Sequence, residues 1–292
     1  MTTLAPLSIH RVISVGQASE VLAELGDDAV VYSGGTELLL LMKLGFAAYR
    51  HLVDIKPIAE LNRLEVVDGT LRIGGAVTHR AIERSPLVAA GWPGLSKMER
   101  VVANIRVRNV GSLGGNLAFA DPHSDPATFL LAADARVELG LGDERRSLPI
   151  DEFILGPYET ALRPHEIVVA IEVPAAPSDA GMAHLRFAFH ERPAATVSCL
   201  IRVVNGRVVE ARVAVGSVGI NPVRVPVGEA LLLGADAANI DPTALDSAGR
   251  AAAEAADPVT DANGSADYKQ DLVRVLVGRC VRMAVQPLLP QA

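Results

Sequence analysis

The 292-residue chain has only two cysteines, Cys199 and Cys280, and neither sits in a CxxC pair or in a Cys/His cluster with metal-ligand spacing. It cannot hold an iron–sulfur cluster alone, and the two thiols read as small apolar residues of the core. Basic charge is also short: 27 Lys and Arg face 34 Asp and Glu, a formal net charge of −7. Arginines scattered among acids give no concentrated basic surface, which excludes a general nucleic-acid binder. Long apolar runs are missing too. Leu38 to Met42 is closed by Lys43, far short of the roughly 20 residues a membrane span needs. No charged segment followed by an apolar one opens the chain, so no secretory signal is expected and the cytoplasm is the expected address. Neither GxGxxG nor GxxxxGK[ST] occurs, which removes the Rossmann and P-loop solutions for a nucleotide. No repeat of about 20–50 residues points to a solenoid.

What is present is a half-apolar composition at a length that suits two or three subdomains. A helix is expected over Ala18–Leu25, stopped by Gly26. The apolar run Ala29–Tyr32 then reads as a buried strand, Ser33-Gly34-Gly35-Thr36 as a turn, and Glu37–Lys43 as a helix. Asp68-Gly69 and Asn205-Gly206 sit between β-branched residues and predict antiparallel hairpins. Arg136–Leu141 and Arg146–Ile150, joined through Gly142-Asp143, form a third pair, so the class is α+β. The small, Pro- and Gly-containing segment Ala175–Gly181 is the expected linker between domains. Near the C-terminus, Leu272, Val275, Leu276, Arg279, Cys280 and Met283 recur at helical spacing as an expected core stripe.

Two segments carry the chemistry. Ser33-Gly34-Gly35-Thr36-Glu37 is a strand–glycine–helix turn, in which glycine permits close backbone approach and helix N-terminal amides point at an anion. Alone it reads as readily as an ordinary tight turn. Arg108–Asn116 concentrates three glycines, the Ser112 hydroxyl, the Asn116 amide and the Arg108 guanidinium without core periodicity. Two Gly-Gly loops facing each other would form a nest for a pyrophosphate without a lysine; unrelated turns are the alternative. Downstream, Asp121-Pro-His-Ser-Asp-Pro126 places Ser124 or Asp125 as a helix cap, with sugar-hydroxyl recognition by Asp125 as the second possibility.

These residues resemble the FAD-binding medium subunit of the molybdenum hydroxylases, the family of aerobic carbon monoxide dehydrogenase and xanthine dehydrogenase. Ser33–Leu39 is similar to its first FAD loop and Val107–Leu117 to its second; Asp121–Pro126, Gly216–Arg224, Asp257–Asp261 and Gly264–Lys269 follow in order. The resemblance implies a vanillyl-alcohol-oxidase-like (PCMH-type) fold. A small βαβ unit (1–56) and a larger antiparallel sheet with helices (57–176) would enclose FAD, followed by a C-terminal domain (177–292) with a three-stranded antiparallel sheet and helices. It implies that Ser33, Gly34, Gly35, Thr36 and Glu37, with Leu113, Gly114, Gly115 and Asn116, hold the pyrophosphate; Arg108 and Ser112 of the second loop are further cofactor-binding candidates. Ser124 and Asp125 would contact the nucleotide, Val168 would lie near the flavin ring, and Arg186 near a position where relatives often carry a lysine. Relatives often cover the ring with an acidic residue and an aromatic after a basic one. This chain reads Arg192-Pro-Ala-Ala-Thr196, leaving Tyr32, Phe187 and Phe189 as alternatives.

The function implied is electron transfer: iron–sulfur clusters of a small partner subunit pass electrons from a large molybdenum-cofactor subunit through FAD to an external acceptor. A dimer of heterotrimers is the expected assembly. With no pyridine-nucleotide fingerprint, NAD ranks below quinone or oxygen as acceptor. An autonomous FAD-dependent oxidase and a flavin-free assembly protein are the other two readings.

Overall fold

The computed structural model describes residues 6–290. Ser8–Arg11 (β1), Val15–Leu25 (α1), Ala29–Tyr32 (β2), Leu38–Leu44 (α2) and His51–Asp54 (β3) build a small parallel sheet with β3 in the centre, Ser8 and Ala29 both pairing with His51. Helix α1 begins three residues earlier than the sequence suggests because the Ser14 side chain accepts from the Gln17 N–H as its N-cap, and it ends at Gly26 as expected.

The second unit opens with the hairpin Leu64–Val67 (β4) and Thr70–Gly74 (β5). Six short helices follow: His79–Arg84 (α3), Pro86–Gly91 (α4), Pro93–Glu99 (α5), Ile105–Val110 (α6), Leu113–Phe119 (α7) and Asp125–Ala132 (α8). Arg136–Leu141 (β6) and Glu144–Pro149 (β7) pair as expected. A small excursion through Ile150–Phe153 (α9), Ile154–Gly156 (β8) and Glu159–Thr160 (β9) leads to Ile167–Pro174 (β10). Strand β10 slots between β5 and β6, closing the order β4-β5-β10-β6-β7. Its run Ile167–Ile171 is buried throughout, as expected of a central strand covered on both faces.

After a stretch without regular structure, Ala180–Phe187 (β11), Ala195–Val204 (β12) and Arg207–Gly216 (β13) form the three long antiparallel strands of the C-terminal part, with the two-residue Val223–Arg224 (β14) at the edge. Pro226–Ala230 (α10), Pro242–Ala255 (α11) and Ala266–Val285 (α12) complete it. The core face of α12 is rotated from the expected stripe. Val273, Leu276, Val277, Cys280, Val281 and Ala284 are buried, whereas Val275 and Met283 are exposed. The helix is clamped between the sheet and α11, so its covered arc is wider and differently phased than apolar spacing alone indicates.

Three apolar clusters correspond to these parts. They centre on Val53 and Leu61, on Phe129 and Phe153, and on Val213 and Val277. Each large side chain sealed in this way contributes about 1.5–3 kcal/mol. The first cluster also takes in Ile167 and Val169 from β10, so the small sheet and the second unit share a core.

Candidate functional site

The turn after β2 and the start of α7 come together although they are far apart in the chain. Gly35 sits at φ +66°, and a Cβ there would lie 2.5 Å from Tyr32 Cε2. A Cβ on Gly34 would lie 2.1 Å from the Val110 carbonyl oxygen, so the first turn rests directly on the end of α6. The hydroxyls of Ser33 and Ser112 are 3.0 Å apart across this seam. Ser112 also caps α7, accepting from Gly115 N–H at 3.2 Å. Gly114 faces Gly75 at the end of β5: a Cβ on Gly114 would be 2.5 Å from the Gly75 oxygen. The backbones meet here at a distance that only glycine permits.

The seam floors a cleft of about 460 Å³ lined by all three parts of the chain. Its size suits a cofactor-scale ligand. Among the described residues, the backbone N–H groups of Gly34, Gly35, Thr36, Glu37 and Gly114 donate to no protein acceptor. Gly114 is buried and Gly34 to Glu37 are half-buried; free amides gathered at a glycine seam fit an anionic ligand such as the pyrophosphate of FAD. Cα-only crowding at Gly34 and Gly114 makes the cradle that close approach requires.

Of the residues expected at the site, Ser33, Gly34, Gly35, Thr36, Glu37, Ser112, Gly114, Gly115, Asn116, Ser124, Asp125 and Val168 line the cleft. Arg108, Leu113 and Arg186 do not. Arg108 donates to Glu83 and to the Val102 carbonyl, tying α6 to α3. Leu113 is a core side chain whose N–H is taken by the Val77 carbonyl. Arg186 is held by the Val101 and Glu191 carbonyls and by Asp125. Neither Ser124 nor Asp125 caps α8 by its side chain: Ser124 Oγ donates to Asn116 Oδ1 at 2.8 Å. Both Asp125 oxygens already have protein partners, His184 Nε2 at 3.1 Å and Arg186 Nη1 at 3.2 Å. None of Tyr32, Phe187 and Phe189 reaches the cleft; Phe187 and Phe189 stack edge-on against each other, and Tyr32 lies under Lys56. The aromatic side chains that do line it are Tyr49 and Phe119.

At the mouth, Arg192 bridges Glu37 at 2.9 Å and Asp121 at 3.1 Å. Burial lowers its pKa, but Asp121 and Glu37 outweigh burial and raise it. The C-terminal motifs reach the cleft through His123. Its ring faces the Pro193 carbonyl with Nδ1 at 3.1 Å and Asp261 with Nε2 at 3.3 Å. Asp261 in turn meets the fully buried Lys269 at 2.7 Å. Burial pushes the Asp261 carboxyl up, while Lys269, the Asn263 N–H and His123 more than offset it and hold it low.

Gly75 and His79 also line the cleft without having been singled out in the sequence. A signal existed for the first: the doublet Gly74-Gly75 sits at the end of a strand, much as Gly34-Gly35 lies just past β2. No cluster of His, Cys, Asp or Glu suited to a metal ion occurs among the described residues. No helix among them is long and apolar enough to cross a membrane.

Residues 5–176 match the FAD binding domain in molybdopterin dehydrogenase, and residues 190–284 the CO dehydrogenase flavoprotein C-terminal domain. The chain is 34% identical to the carbon monoxide dehydrogenase medium chain of Hydrogenophaga pseudoflava, over 94% of this chain and 96% of that one. It is 31% identical to the nicotine 6-hydroxylase medium subunit of Paenarthrobacter nicotinovorans, over 92% and 93%. Its fold superposes on quinoline 2-oxidoreductase from Pseudomonas putida 86 with a TM-score of 0.93 at 27% identity, covering 99% of this chain and 100% of that one. Fold, paired glycine turns and matched domains agree, and the chain belongs to the FAD-binding medium-subunit family of the molybdenum hydroxylases, a family of oxidoreductase flavoproteins.

Proposed function

We propose that this chain is an electron-transfer subunit whose cleft holds FAD by its pyrophosphate at the Gly34–Gly114 seam. The row of free amides on two abutting glycine turns is the observation that carries this reading. The N–H groups of Gly34 to Glu37 and of Gly114 would bind phosphate oxygens, the Ser33 and Ser112 hydroxyls would orient them, and Asn116 and Ser124 would meet the nucleotide beside them. Val168, on β10 where the pairing register shifts, would offer an apolar wall to the ring. Asp125 would act through the walls, pinning β11 to α8. Bound FAD would supply the chemistry that joins one-electron to two-electron transfer.

A small iron–sulfur subunit and a large molybdenum-cofactor subunit are the proposed partners, assembled as a dimer of heterotrimers in the cytoplasm, with quinone or oxygen ahead of NAD as final acceptor. The proposed domains remain 1–56, 57–176 and 177–292. Purification of the native complex tests the whole reading. Stoichiometric FAD on this chain and a molybdenum-containing large partner are expected. Turnover of a small organic substrate by the isolated, flavin-loaded chain would instead make it an autonomous oxidase, and a colourless protein would make it an assembly factor.

A further inference from the structure

His79 opens α3 directly beneath the seam. Its backbone N–H donates to the Gly111 carbonyl, and a Cβ placed on Gly111 would meet His79 Cδ2 at 3.5 Å and Thr36 Cγ2 at 3.6 Å. The ring edge carrying Cδ2 and Nε2 therefore lies where the two glycine turns join. The side chain is almost entirely buried, yet it lines the cleft. On the far side of the ring, Nδ1 is 2.8 Å from Oε2 of Glu99, a carboxylate on α5 with no solvent exposure. The other Glu99 oxygen has no partner. The nearby acid Glu83 is already matched by Arg80 and Arg108, so Glu99 is the carboxylate that His79 answers.

A bare negative charge so enclosed is costly, which favours a pair that is neutral overall. Two proton arrangements satisfy this: carboxylate with imidazolium, or carboxylic acid with an imidazole accepting at Nδ1. In both, Nε2 carries a hydrogen. The partner on one ring nitrogen thus fixes the role of the other, and the atom turned towards the seam is a donor. Nε2 has no protein acceptor among the described residues.

We infer that His79 is a positioning residue for the bound dinucleotide, donating from Nε2 to a phosphate oxygen at the glycine seam, with Glu99 holding that nitrogen in its donor form. The inference rests on the FAD reading of the cleft and adds an imidazole donor to a phosphate site of backbone amides and serine hydroxyls. It also answers how a pyrophosphate is met where neither turn carries a lysine.

The test is FAD titration into the deflavinated native complex, followed by flavin fluorescence, with ³¹P NMR of the bound cofactor as a second readout. His79→Leu should raise the FAD Kd by roughly 10- to 100-fold, the loss expected for one hydrogen bond to a charged group. His79→Gln places an amide N–H close to the lost Nε2 and should recover most of the affinity, with a shifted ³¹P resonance. Wild type and H79L binding FAD within about twofold of each other would overturn the inference while leaving the cleft reading intact. If H79L does not fold, an unchanged ³¹P spectrum in H79Q overturns it. Wild type that binds no FAD overturns the cleft reading itself.

Discussion

The hydroxyls of Ser33 and Ser112, 79 positions apart in sequence, lie 3.0 Å from each other. This contact marks where a turn of the small parallel sheet meets the helix start of the second unit. Ser112 is at once the cap of α7 and a member of the seam, so local helix geometry and cleft geometry are set by one side chain. Because Gly34 lies against Val110 and Gly114 against Gly75, the seam has no slack for a methyl group.

Glycine substitutions should therefore differ by position. Gly34→Ala and Gly114→Ala force carbonyl oxygens apart and should destabilise the protein by about 1–3 kcal/mol, with loss of bound FAD. Gly115→Ala meets only the Ser112 hydroxyl, at 2.9 Å, and should cost no more than a weakened cap, about 1 kcal/mol. Denaturant unfolding and flavin content of the three variants check this; equal effects at positions 114 and 115 would contradict the close-approach argument.

Asp125 is buried, with one oxygen facing His184 and the other Arg186. Truncation to alanine leaves His184 Nε2 enclosed without an acceptor and the Arg186 charge, still bonded to the Val101 and Glu191 carbonyls, without its carboxylate, and a loss of about 3–5 kcal/mol is expected. Chemical denaturation measures it. A loss below about 1 kcal/mol would mean that water replaces the carboxylate and that Asp125 does not pin the C-terminal sheet.

Acid should weaken the protein partly through Glu166. Burial raises its pKa, but the bidentate Arg146 contact and the Arg163 N–H lower it more, leaving it below the ordinary value of 4.5. A carboxyl lowered on folding stabilises above its unfolded pKa and loses that contribution as pH falls through the folded one. The melting temperature should drop between about pH 5 and pH 3. Glu166→Gln should melt lower than wild type at neutral pH and show a shallower acid slope; parallel slopes would remove Glu166 from the explanation.

Cys199 and Cys280 are fully buried, and burial pushes the Cys199 thiol up. Because the thiolate is the reactive form, neither should react with a thiol reagent in the native protein, and both should react once denaturant unfolds it. Rapid native labelling would show that α12 separates from the sheet.

Much of the fold was legible because its signals are local. Asp68-Gly69 and Asn205-Gly206 occupy positive φ as their hairpins require, and the strand–turn–helix through Gly35 follows from residues adjacent in the chain. The site was legible to the extent that glycine doublets announce backbone contact. What escaped depends on neighbours remote in sequence. Arg108 and Leu113 sit inside the glycine-rich segment, yet Glu83 and the Val77 carbonyl, supplied by other elements, take them away from the cleft. The covered face of α12 is decided by the sheet beneath it, and the aromatic lining by Tyr49 of a loop and Phe119 at the end of α7, which only folding brings together. His79 carried no local motif, and its partner Glu99 lies a full helix away.

The contact from Lys269 through Asp261 to His123 also orders events in time. A buried lysine of α12 supports a wall of the cleft that belongs to a much earlier part of the chain. On the ribosome, the glycine seam emerges before that support exists. A wall that waits for α12 is complete only once synthesis has passed Lys269, and a nascent chain stalled before that point would still lack it.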